Sequence, residues 1–147
     1  MNLFNFLGRG AALAPSDTQR RQQAIDHAAE KARAQWLNAL LVDQTRTWLS
    51  LGDQDPEILT GMAAMLTIAG FVHAHDVKDA EHPDMRVIRG AVSAARQCSA
   101  AGSVITVADA QAFSAGCERA RVIIEAGSTA AIIYAAQAIR ETVGLPS

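Results

Sequence analysis

Residues 55–76 read DPEILTGMAAMLTIAGFVHAHD, and this stretch settles the architecture. Asp55 supplies a carboxylate for the free N–H groups of a first helical turn. Pro56 has the fixed φ of the next position, and Glu57 faces the positive end of the helix dipole. The residues after this start are apolar on every side of a 3.6-residue wheel: Ile58, Leu59, Met62, Met65, Leu66, Ile68, Ala69, Phe71 and Val72. Such a helix is central in a bundle or lends a face to a partner. Residues 58–74 carry no charge, but they hold Thr60, Thr67, His73 and two glycines at the lower length limit for a membrane span. A buried core helix is therefore expected, and no membrane span is assigned.

On either side of this helix the same punctuation recurs. Ser16 followed three residues later by Gln19 has the form of a capping box, with Pro15 before it. Ile25, Ala28, Ala29, Ala32, Trp36, Ala39 and Leu40 then recur at helical spacing, and Leu37, Leu41 and Trp48 continue an adjacent stripe to Leu51. Gly52 supplies the left-handed stop. Beyond residue 76, a polar segment leads to Pro83, which opens a third helix ended by Gly102. Thr106 with Asp109 caps a fourth, and Gly127 with Ser128 permits a tight turn into a last helix over Thr129–Val143. There is no internal repeat or flexible linker. The expected architecture is all-α: a single-domain bundle of about five helices over residues 16–147, with a long first helix, short antiparallel connections and central second and fifth helices. Residues 1–15 form a separate apolar N-terminal segment.

Composition agrees with this pattern. The chain has 147 residues, half of them apolar but only 5% aromatic, and alanine dominates the apolar half. That favours helices in close backbone contact. A net charge of −2 supplies no general field for DNA or an anionic bilayer. The distribution is uneven, since the first helix is mildly basic while Asp53, Asp55, Glu57, Asp76, Asp79, Glu81 and Asp84 make the middle acidic. Cys98 and Cys117 fall inside expected helices and read as reduced core residues. Asn5 and Gly8 interrupt the N-terminal apolar run, so a secretory signal is not expected and a cytoplasmic location is.

Three groups of residues bear on function. His73, His75, Asp79 and His82, with Asp76, Glu81 and Asp84 nearby, are candidate ligands for zinc, manganese or iron. Their spacing is poor: His73 and His75 point about 200° apart on a helix, and His82 precedes a proline that pushes it out of helical conformation. Arg20, Arg21, Lys31 and Arg33 form a basic stripe that could meet nucleic acid, but Asp17, Asp26 and Glu30 are interleaved with it. A helix-turn-helix at the Gly127 turn lacks cations on its second helix before Arg140, which leaves an ordinary helical hairpin. No nucleophile elbow, phosphate loop, zinc-protease helix or dinucleotide fingerprint is present.

The N-terminal segment departs most from a bland helical protein. Leu3, Phe4, Phe6 and Leu7 include two of the four phenylalanines, and Gly8 and Gly10 detach them from helix one. The segment folds back as a plug or docks on another protein. With Trp36 and Trp48 adding bulk to helix one, these residues are the candidate partner-binding set. The expectation is a non-catalytic protein–protein interaction protein, a regulator, inhibitor or assembly factor, that forms homo-oligomers and uses no cofactor. A metal-dependent helical enzyme built on residues 73–84 and a nucleic-acid-binding regulator using helix one are the alternatives.

Overall fold

The computed structural model describes residues 15–143. Among them are five helices and no strand: α1 (Asp17–Leu49), α2 (Pro56–Asp76), α3 (Pro83–Ala101), α4 (Val107–Ala126) and α5 (Thr129–Val143). The N-terminal docking candidates Leu3, Phe4, Phe6 and Leu7 lie outside the described residues.

The helix ends are held by the groups whose spacing announced them. Ser16 Oγ accepts from the Gln19 N–H at 3.1 Å while Gln19 Oε1 accepts from the Ser16 N–H at 2.8 Å. Asp55 accepts from the Glu57 and Ile58 N–H groups. Thr106 and Asp109 cap α4 reciprocally, and Gly102 ends α3 at φ +61°. The end of α1 differs from expectation. The helix stops at Leu49, and Gly52, at φ +85°, sits in the connector instead of closing the last turn. Its N–H donates to Ile105 O at 2.9 Å, and the Ile105 N–H donates to Asp53 O at 3.0 Å. Pairing with the distant α3–α4 connector draws residues 50–53 out of the helix.

Cross-helix contacts give the topology. Arg46 reaches Asp55, Met85 lies against Gly70, Arg119 reaches Asp84, and Trp48 meets Ser114 while Arg33 meets Ile124. Each pair runs antiparallel, so α1 to α4 form an up-down-up-down bundle that closes on itself. Gly116 lets α4 approach its neighbours closely: a Cβ there would lie 2.6 Å from Ala91 Cβ and 3.3 Å from Leu66 Cδ2. Helix α2 packs against all four others and buries Ile58, Leu59, Met62, Leu66, Ile68, Ala69, Val72 and His73. By length and composition it could cross a membrane, but its place here is the middle of the core. Helix α5 is not central. It follows α4 end on and packs on α1 and α2, burying Ala131, Ile132 and Ala135 while Tyr134 and Gln137 are exposed. Its lack of charge before Arg140 reflects alanines, which tolerate solvent at little cost.

Candidate functional site

Helix α1 presents two different surfaces along its length. From Asp17 to Ala28 every residue is exposed, so its first three turns, about 18 Å of helix at 1.5 Å per residue, run past the bundle. The next turns bury Ala29, Leu40 and Thr47 on one side, with Trp36 and Leu37 packed beside them. Opposite that side, Leu41, Thr45 and Trp48 succeed one another at helical spacing, flanked by Val42 and Leu49. Leu49 is 80% exposed, Leu41 63%, Val42 42% and Trp48 41%. Across residues 34–49 the outward positions Ala34, Gln35, Asn38, Leu41, Val42, Thr45, Trp48 and Leu49 hold no charge, and the half-exposed Arg46 at their edge reaches away to Asp55. The Thr45 hydroxyl donates to Leu41 O at 2.9 Å, so even this polar group is turned onto its own helix.

This arrangement revises the reading of α1. Leu41, expected in a buried stripe beside Leu37, stands in solvent, whereas Trp36 turns to the core. Trp48 keeps an exposed face, and its indole N–H donates to Ser114 Oγ at 2.9 Å. Sequence reasoning does not single out Leu41, Val42 or Leu49 as partner-binding residues. Their signal is nevertheless present in the wheel: between residues 36 and 49, apolar side chains fall on both sides of the helix, and one bundle can cover only one of them.

The basic stripe does not form one face. Arg33, with a side chain only 14% exposed, donates to Ile124 O and, at 3.2 Å, to Glu125 O, closing the C-terminal end of α4. Arg21 and Lys31 are exposed, and Arg20 donates to Pro15 O at 3.4 Å.

The histidine cluster is divided by the chain reversal between α2 and α3. His73 is buried, its Nε2 3.1 Å from Asp79 O, and its ring lies 5.0 Å from that of His82. His75 points elsewhere, toward Tyr134 and Asp76. The Asp79 carboxylate accepts from the Glu81 N–H, and His82 Nδ1 accepts from the Asp84 N–H at the start of α3. These polar groups are thus engaged in turning the chain. Among the described residues no group of three or more His, Cys, Asp or Glu side chains is placed to hold a metal. Asp76 joins α2 to the start of α5, accepting from Ser128 N–H at 2.8 Å and Ser128 Oγ–H at 2.7 Å. Burial raises its pKa, but these bonds and the adjacent His75 outweigh burial and hold it below the usual value.

Neither thiol is poised for chemistry. Cys117 is buried in α4, and burial, helped by Asp43 and Glu118, pushes its pKa up to about 12. Cys98 is raised by burial and by Asp109, and its sulfur lies 3.2 Å from Ser103 O. Thiolate, the reactive form, is scarce at both. No family model, curated protein or solved structure matches this chain.

Proposed function

We propose that this protein is a non-catalytic interaction protein that self-associates through the outer face of α1. The observation that carries this reading is the uncharged, apolar outer surface of residues 34–49, with Leu41 and Leu49 largely in solvent. A solvated helix ordinarily carries charge on its outer face, and a contiguous apolar patch in water marks an interface. A second copy suits this surface. A twofold axis sets each residue of the patch against a different residue of the same patch, so an uncharged row meets an uncharged row, and Arg46 at its edge is already drawn toward Asp55, at 3.8 Å.

Antiparallel pairing near Thr45 sets Leu41 toward Leu49 of the partner subunit. The projecting first turns of the two α1 helices then run outward in opposite directions, and Leu3, Phe4, Phe6 and Leu7, outside the described residues, remain the proposed set for a further protein partner. A regulator, inhibitor or assembly factor works through such surfaces. Buried free thiols suit the reducing cytoplasm.

The test is sedimentation velocity over a concentration series with the wild type, Leu41→Glu and Leu49→Glu. The wild type is expected to dimerise with concentration, and both variants are expected to stay monomeric with unchanged thermal midpoints. A wild type that remains monomeric at high micromolar concentration removes the proposal.

A further inference from the structure

A second surface, on the other side of the bundle from the α1–α4 contact, has a different chemistry. Between α2 and α3 lies a groove of about 610 Å³, within the range of roughly 300–1,000 Å³ common to small-molecule sites. Gly70 keeps its floor open, because a Cβ there would meet only Met85 Cε, at 3.6 Å.

Polarity in the groove is graded. The two helices are antiparallel, so Phe71, Ala74 and Met85 lie together at one end, while Thr67, Ser93, Arg96 and Gln97 gather toward the other. Ile88 and Val92 line the stretch between them, with Arg89 beside them. The arginines of α3 divide in the same way. Arg86 and Arg89 reach Glu81 at 3.8 and 3.9 Å, and Arg89 also donates to Ala80 O. Arg96 has neither a carboxylate nor a carbonyl partner among the described residues, although it lines the groove.

An apolar trough ending in one uncommitted guanidinium and flanked by a hydroxyl and an amide is complementary to a molecule with one long apolar chain and one anionic head. We propose that this groove binds a fatty-acid-like amphiphile, its chain along Val92, Ile88, Phe71 and Met85 and its carboxylate on Arg96. From Met85 to Arg96 the helix rises about 16 Å, which accommodates an unbranched chain of medium length. Of the two arginines that line the groove, Arg89 is engaged by Glu81 and Ala80 O, and the one left over, Arg96, argues for one head group and against a polyanion. This assignment stands apart from self-association, because α1 takes no part in the groove.

Isothermal titration of the full chain with dodecanoate, and with dodecanol as an uncharged probe of equal chain length, tests the assignment below the micellar range. The wild type is expected to bind dodecanoate at one site. Arg96→Gln is expected to weaken dodecanoate at least tenfold and leave dodecanol unchanged. Gly70→Leu fills the floor with a side chain that the backbone can accommodate, so it should abolish both while circular dichroism shows an intact fold and a thermal midpoint at or above wild type. No saturable dodecanoate binding, equal binding by Arg96→Gln, or retained binding by folded Gly70→Leu would each overturn the proposal. So would capture of an acidic amphipathic helical peptide by a protein that ignores dodecanoate, which would make the groove a peptide site.

Discussion

Two interior helical glycines offer a matched test of the packing, because the same substitution should act with opposite sign at each. Gly90 lies on the exposed side of α3, and a Cβ there meets nothing within 4 Å. Gly90→Ala therefore gains only the helix-propensity difference, about 1 kcal/mol, or an increase in thermal midpoint of roughly 3–4 °C for a chain of this size. Gly116 offers the same gain of about 1 kcal/mol, but its new Cβ would stand 2.6 Å from Ala91 Cβ. Both atoms are fixed to helix backbones, so neither can swing aside and the helices must part. Overpacking costs about 1–3 kcal/mol, here toward the upper end, leaving Gly116→Ala about 1–2 kcal/mol less stable than wild type. Ala91→Gly alone loses about 1 kcal/mol of propensity and about 0.8 kcal/mol for the buried methyl. Combining the two moves one methyl across the helix contact, so the double variant should return to within about 1 kcal/mol of wild type, far from the additive sum of about 3 kcal/mol. Urea denaturation of the four variants measures the cycle. Additive behaviour, or stabilisation by Gly116→Ala equal to that by Gly90→Ala, would refute the close approach of α3 and α4.

Arg33→Met keeps the apolar stem but loses both bonds to the end of α4, so a cost of about 1–2 kcal/mol is expected in urea; an unchanged midpoint would show that the cap contributes nothing. Asp76 has a lowered folded-state pKa, so its contribution is present above its unfolded value of about 3.8 and is lost as pH falls through the lowered one. The gap in thermal midpoint between wild type and Asp76→Asn should therefore be widest near neutrality and close in strong acid; a gap that widens on acidification would contradict this sign. Cys98 and Cys117 should resist Ellman's reagent in the native state and both react in denaturant, since burial suppresses thiolate and access together; rapid stoichiometric labelling of the native protein would contradict their placement.

The inventory of helices and most of their ends were legible in the residues alone. Ser16 with Gln19, Asp55 with Pro56, Pro83, Gly102 and Thr106 with Asp109 act on N–H and C=O groups within one turn, so their effect is written in adjacent residues. The all-round apolar character of α2 likewise announced a central position, because no single neighbour could cover it. Packing between helices settled the remainder. Leu40 and Leu41 are equivalent in composition, and only the placement of α2, α4 and α5 buries the first and leaves the second in water. Arg33 resembled Arg20 and Arg21 until the end of α4 came within its reach. Gly52 left its expected stop because Ile105, far along the chain, paired with its connector, whereas the parting of His73 from His75 was already written in their two-residue spacing on a helix. Local order comes from hydrogen bonds a few residues long, whereas the choice between two apolar faces, and the working surface it leaves exposed, depends on contacts between segments that the chain brings together only when folded.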